Sequence, residues 1–487
     1  MIRSRIKIHD KFSVVIDVTY DKLFDRKKSK YTTITYLFIS DSLNINKETY
    51  PDTKFYNDVR LFVKYDTPNY SLDDINKGDR SLMKNLTDNT DNFIKRTSKK
   101  NRSLYKDQVK MFAATFSGLL REENEKLIRQ RKPRTDQINE LREKIISILN
   151  DFRLLVEKVK KTSLDKKDKS VMMYADEHMS NVVEFQMMKL YNYLKRKNAA
   201  PEELDKIVTL INSEQKYKKQ KAYSSPKDKN VNPDELLYRR NQLKKYIEDV
   251  FYLNRDVRVD GAVVQQTLLA LAAGLAMVFS TGIAFYYQQV YGNFTIPFFI
   301  ALVISYMLKD RIKWLMGWLL VSKSNSFYYD YKIRINNSLK KKIGVIKENF
   351  VFVPIKKLGK KVKIHRLKDH VIAADEYDLR EKIIQYKKKI VIYPKRFGDD
   401  LPDKNILGLT DITRFNFHRF IQYMDDPKED FILVKKGEIY NKVANKIYHI
   451  NLIQKHYTEE GIEFSRYRII INRNGIKRIE KVALDPL

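Results

Sequence analysis

The sequence predicts an α+β integral membrane protein: a two-helix transmembrane hairpin in mid-chain, an amino-terminal cytoplasmic region of strands followed by a helical block, and a mostly antiparallel β carboxy-terminal cytoplasmic domain. Three observations lead there. The stretch from Gly261 to Leu308 contains no Lys, Arg, Asp or Glu, in a chain of which 32% of the residues are charged. Val, Ile, Thr, Tyr and Phe cluster in short runs near both ends, as strands require. Between the first strands and the uncharged stretch, apolar residues recur at helical spacing.

Taken in order, 1–75 reads as a β-rich subdomain, with strands at Ser13–Tyr20 and Thr32–Ser40. Val59, Leu61, Val63 and Tyr65 alternate with Arg60 and Lys64, the period of a half-buried strand. Residues 76–231 form a helical block with linkers, opening on a polar connector from Asn76 to Arg102. Val109, Phe112, Phe116 and Leu119 make one apolar face, and Ile138, Leu141, Ile145, Ile148, Phe152, Leu155 and Val159 a longer one. Met172, Met173, Met179, Met187 and Met188 lie on a further helix, as core filler or an adaptable face. Tyr217–Val231 reads as a linker. Asn232, Pro233, Asp234 and Glu235 then start a coupling helix within 232–260: a cap, a first-turn proline and two acids at the positive helix end.

The hairpin and an interfacial helix occupy 261–321. Thr267 to Tyr287 reaches about 30 Å, the thickness of a bilayer hydrocarbon core. The second span, from Phe294 to Leu308 with Pro297 in its first turn, is shorter and needs support at its end. Lys309, Arg311 and Lys313 supply it by snorkelling. Trp314 and Trp318, the chain's two tryptophans, supply an interfacial aromatic belt, and Trp314–Val321 continues as an amphipathic surface helix. The connector Gln288–Asn293 is too short for a domain, so the spans are antiparallel neighbours. Arg255 and Arg258 before the hairpin, with the basic group after it, set both termini in the cytoplasm at the inner membrane. Ala272, Ala276, Ser280 and Ala284 form a small-residue stripe for helix packing, against either the second span or another copy in a homo-oligomer.

Residues 325–487 read as a basic β-rich cytoplasmic domain. Lys340 to Lys368 is interrupted by one acid, Glu348, and reads as a basic β-hairpin. Lys340, Lys341, Lys342, Lys356, Lys357, Lys360, Lys361 and Lys363 are its candidate contacts to lipid or another polyanion. Asn474-Gly475 signals a type I′ turn between the last strands. The net charge of +33 divides almost evenly: 55 basic and 39 acidic residues precede the hairpin, and 39 and 22 follow it. With an anchor present, the expected partner of this charge is the anionic inner leaflet, with nucleic acid as the alternative.

Chemistry leaves few marks. Cysteine is absent, which excludes disulfides, thiolate metal sites and a cysteine nucleophile. His9, His178, His365, His370, His418, His449 and His456 fall in no metal-ligand spacing, and no phosphate-binding loop or kinase signature occurs. No catalytic residue, metal or cofactor is therefore expected. Arg414 and Arg466 are candidate anion contacts or ion-pair partners, and Asp425, Asp426, Glu429 and Asp430 form an acidic loop. Tyr291-Gly292-Asn293-Phe294 resembles the Tyr-Gly-Met-Asn-Phe loop of CorA-type magnesium channels, which joins two helices on the far side of the membrane. That resemblance implies a pentameric cation channel with Gly292 and Asn293 at the pore mouth. It covers four residues, lacks the Met, and the family ends shortly after its second span, so no family is assigned. The function expected is a membrane-anchored cytoplasmic binding or sensory protein. An oligomeric pore gated by its soluble domains, or a membrane-tethered nucleic-acid or nucleotide binder, are the alternatives.

Overall fold

The computed structural model describes residues 2–21, 27–66, 70–76, 81–130, 135–223, 232–293, 295–325, 328–337, 340–367, 381–396, 406, 408–435, 437–458 and 461–484. His370, Phe294 and the second part of the Tyr217–Val231 linker lie outside them. The amino-terminal part holds β1 (Ile2–Ile8), β2 (Ser13–Asp21), β3 (Ser29–Ser40), α1 (Asp52–Asp58) and β4 (Val59–Tyr65). The helical block is α2 (Leu72–Asn76), α3 (Leu82–Lys95), α4 (Lys99–Arg129), α5 (Thr135–Lys160), α6 (Lys166–Arg196), α7 (Pro201–Gln220) and α8 (Pro233–Glu248). Then come β5 (Asn254–Val259), α9 (Ala262–Tyr291), α10 (Ile296–Asn325), β6 (Tyr331–Asn336), β7 (Lys342–Phe352), α11 (Lys360–Leu367), β8 (Glu381–Ile392), β9 (Gly408–Asn416) and α12 (His418–Ile421). The chain closes with β10 (Lys428–Lys435), β11 (Glu438–Asn445), β12 (Tyr448–Tyr457), β13 (Ile462–Asn472) and β14 (Gly475–Val482).

The molecule is a mixed α+β structure of helices and antiparallel sheets. One sheet runs β1-β2-β9-β4, and an eight-stranded one runs β14-β13-β12-β3-β8-β7-β6-β5. The expected division into a 1–75 subdomain and a 325–487 domain gives way here. β9 sits between β2 and β4, and β3 sits between β8 and β12, so both sheets are built from both ends of the chain. Strand patterning carries no partner information, and for that reason the sequence suggested two bodies. Leu61 and Val63 of β4 and Leu37 and Ile39 of β3 join the same core as Ile450 and Leu452 of β12.

A polar layer links the sheets inside that core. Lys388 of β8 donates to Asp411 of β9 at 2.6 Å and to Thr413 at 2.8 Å. The Tyr20 hydroxyl donates to Asp411 at 2.8 Å and meets Thr33 at 3.2 Å, and Thr33 meets His456 Nδ1 at 3.1 Å. Lys388 and Asp411 are 2% and 1% exposed. The helical block has its own ionic layer, where Arg153 reaches Glu214 at 2.6 Å, Asp176 at 3.3 Å and Ser180 at 3.0 Å. The apolar faces of α4 and α5 are buried throughout, whereas among the α6 methionines Met172, Met179 and Met187 are core and Met188 is exposed.

Three local expectations change. The connector from Asn76 to Arg102 contains α3, capped by Ser81 accepting from Lys84 N, with only Leu82, Leu86, Thr90 and Phe93 buried; so narrow a stripe hides in a polar sequence. The coupling helix begins as expected, with Asn232 accepting from Asp234 N, but α8 ends at Glu248 and β5 follows, so the chain enters the hairpin from a strand. The β13–β14 turn places Arg473 and Asn474 at negative φ and Gly475 at φ +118°, which is not type I′. Gly475 packs on the β1–β2 turn, where a Cβ would stand 2.5 Å from Lys11 O.

Candidate membrane hairpin and the cleft at its root

Helices α9 and α10 pack antiparallel on each other, and both emerge from one edge of the large sheet. β5 and β6 are adjacent antiparallel partners with Val259 opposite Tyr331, and Asp260 N donates to Asp330 O at 3.2 Å. The whole hairpin is thus an insertion between two neighbouring strands. Gly261 makes the exit: its φ is +78°, and a Cβ there would lie 2.6 Å from the Tyr328 ring.

The small-residue stripe faces α10. Ala272 and Ala276 are fully buried, Ser280 Oγ bonds Ser305 Oγ at 3.4 Å, and Ala284 is half-buried. Ala301 and Ser305 are the buried residues opposite. Away from this seam the helices present apolar side chains to the outside, among them Val263 at 80% exposure, Val278 at 70% and Ile296 at 77%. Among the described residues α9 alone is long and apolar enough to cross a membrane. α10 does not meet that standard, because Lys309, Asp310, Arg311 and Lys313 interrupt it.

The segment expected as a surface helix, Trp314–Val321, is continuous with the second helix of the hairpin. α10 runs unbroken from Ile296 to Asn325 alongside α9, with Gly317 so close to Leu269 that a Cβ would stand 3.1 Å from Leu269 Cδ2. The contacts 280–305 and 269–317 fix the register, so Lys309 to Lys313 lie level with Ala276 to Ala272. The basic group sits partway along the uncharged helix rather than beyond its end. Lys309 Nζ lies 3.9 Å from the Tyr306 ring centre, and Trp314 and Trp318 are exposed.

The candidate polyanion lysines do not form one hairpin. β6 runs away from the helices and β7 returns, with Glu348 opposite Tyr331. Lys340 and Lys341 in the β6–β7 turn, and Lys342 at the start of β7, therefore lie at the far end from the helices. Lys356, Lys357, Lys360, Lys361 and Lys363 follow β7 on the helix side, and the last three are on α11 rather than a strand. Exposed Ile355 and Ile364 accompany them. A run of basic residues hides which end of a strand each one occupies.

At the root, the outer face of β4 and the edge of β5 border a cleft of about 510 Å³. Arg60, Phe62, Arg255, Val257, Tyr331, Ile333 and Glu348 contribute to its walls. Arg255 stands 5.2 Å from the Phe62 ring centre, whereas Arg258 turns to Asp256 at 2.9 Å. Glu348 is buried and accepts from Tyr386; burial outweighs that bond and the nearby Lys388, and holds its carboxyl above the usual range. Neither Arg60 nor Glu348 was distinguishable by motif. Their signal was an outward charge on an alternating strand and a lone acid in a basic run.

The other candidates are structural. Arg414 pairs with Asp10 at 2.5 Å, and buried Arg466 donates to His365 O at 2.7 Å. Lys446 lies 3.5 Å from Asp425 and 3.3 Å from Glu429, and Arg473 lies 3.1 Å from Asp426. Among the described residues no group of three or more His, Asp or Glu side chains is arranged to hold a metal. No protein-family model, curated protein or solved structure matches the chain.

Two buried histidines give a pH prediction. Burial lowers His178 to about 4, aided by Lys244 and Arg121, and lowers His456 to about 4, aided by Lys388. Below pH 6.5 the unfolded chain protonates these rings while the fold does not, so stability present above that pH is lost as pH falls toward 4. Each ring contributes a loss on the order of 2 kcal/mol by pH 5. Denaturation at pH 7.5 and 5 should show a smaller decrease in His178→Gln and His456→Gln than in the parent; parallel decreases would refute the assignment.

Proposed function

We propose that the chain is a membrane-anchored binding or sensory protein, with α9 and α10 as a two-pass hairpin and both termini in the cytoplasm. The observation that carries this reading is the apolar exterior of α9 and of α10 as far as Leu308, which water would disfavour at about 25 cal/mol per Å² and lipid would not. At about 1.5 Å per residue each helix is about 45 Å long, matching a bilayer with its headgroup zones. The shared sheets support the topology. Strands from before and after the hairpin hydrogen-bond to each other, so both flanks occupy one compartment and the number of crossings is even. Lys356, Lys357, Lys360, Lys361 and Lys363 then meet the anionic leaflet from the helix side of the sheet.

The native chain has no cysteine, so single replacements report cleanly. Gln289→Cys in intact cells should react with a membrane-impermeant maleimide, and Lys340→Cys only after permeabilisation. The reverse pattern would overturn the orientation.

A second reading, an oligomeric pore, is favoured by one observation. Lys309, Asp310, Arg311 and Lys313 lie within the depth of α9, and ionisable residues there commonly mark ion pathways. Side chains lean toward a helix's amino terminus, here the far end, so these bases snorkel poorly toward the cytoplasm. Mass photometry in detergent with liposome flux separates the readings: a monomer without flux sinks the pore.

A further inference from the structure

The cleft at the root of the hairpin has the composition of an anion site. Arg60 points outward from β4, directly across the ladder from Arg414. Like charges so placed repel unless something neutralises them. Arg414 has Asp10, while among the described residues Arg60 shows no ion pair and Arg255 feels only the longer-range attraction of Glu348 in the same cleft. Two guanidinium groups thus converge on one cavity, each offering the forked donors that match phosphate oxygens. Around them Phe62, Val257, Tyr331 and Ile333 provide apolar and aromatic surface, and about 510 Å³ is within the range of small-molecule sites.

We propose that this cleft binds a phosphate ester of nucleotide size, its phosphate held by Arg60 and Arg255 and its body laid against Phe62, Val257 and Ile333. Glu348 adds selectivity. Tyr386 occupies its Oε1, leaving Oε2 for an N–H or O–H donor on the ligand body beyond the phosphate. The ligand's phosphate has two possible sources, a soluble nucleotide or a lipid headgroup. Arg255 precedes Gly261 by about 20 Å of strand, so the soluble source is the one argued here. The site stands on the β4–β5 geometry and does not depend on how the hairpin meets a bilayer.

The full chain in neutral-lipid nanodiscs is titrated with fluorescent ATP and AMP analogues and with inorganic phosphate, and separately with nanodiscs containing phosphoinositide. Nucleotide binding should weaken at least tenfold in Arg60→Gln and in Arg255→Gln, the range of a lost charge-assisted hydrogen bond. Arg258→Gln, whose parent side chain is paired to Asp256, should bind as the parent does. Phosphoinositide binding that needs both arginines would keep the phosphate site and assign its source to lipid. Absence of binding from both sources, or binding that survives both arginine substitutions, overturns the proposal. Unchanged thermal denaturation of the variants excludes unfolding as the cause.

Discussion

Replacing residues 261–329 by Asn-Gly is expected to turn the chain into a soluble, folded body. The ends to be joined are already neighbours, since Asp260 N donates to Asp330 O at 3.2 Å and Val259 pairs with Tyr331. A two-residue Asn-Gly loop is the connection adjacent antiparallel strands favour. The deletion removes the exposed apolar exterior of both helices and leaves both sheets and the bundle intact. The parent should resist extraction from membranes by carbonate and need detergent, while the shortened chain should appear wholly in the soluble fraction with cooperative thermal unfolding. A shortened chain that still pellets with membranes would show that the hairpin is not the anchor. One that is soluble but unfolded would show that the helices complete the body.

The second large effect lies in the core between the sheets. Lys388→Met should cost about 3–5 kcal/mol, because it leaves the Asp411 carboxylate buried without its cation. The hydrogen bonds from Tyr20 at 2.8 Å and Thr413 at 3.3 Å remain, but neither carries charge. Adding Asp411→Leu should recover most of the loss, since an apolar pair replaces an ion pair at little net cost. Tyr20 keeps Thr33 as a partner in that double variant. Denaturant titration of the hairpin-deleted body measures both. If Lys388→Met alone changes stability by less than 1 kcal/mol, the pair does not join the sheets energetically.

Much of the local structure was legible because period and composition act over a few residues. The alternation from Val59 to Tyr65, the apolar faces of α4 and α5, the Asn232-Pro233 start of α8 and the uncharged length of α9 all follow from side-chain spacing. What escaped was whatever depends on partners distant in sequence. Nothing in Thr32–Ser40 announces that its neighbours are β8 and β12, so the single body looked like two. Helix α3 escaped because three large apolar residues sufficed for it. The level of Lys309–Lys313 along α9 escaped because charge alone does not reveal the register between two helices. The cleft was the least legible feature: Arg60, Arg255 and Glu348 come from three separate segments, and only the meeting of β4 with β5 and β7 makes them neighbours.

The interleaving of the two sheets also dictates an order of events during synthesis. When α9 leaves the ribosome, β1 to β5 have been made, but β8, β9 and β12, the strands that complete their sheets, have not. β3, the interior strand with no earlier neighbour in its sheet, must wait through the translation of the hairpin and of β6 and β7. On the proposed membrane reading, capture of the helices by the bilayer therefore comes before completion of the fold. The nascent amino-terminal half is held with open strand edges through that interval, when chaperone dependence should be greatest.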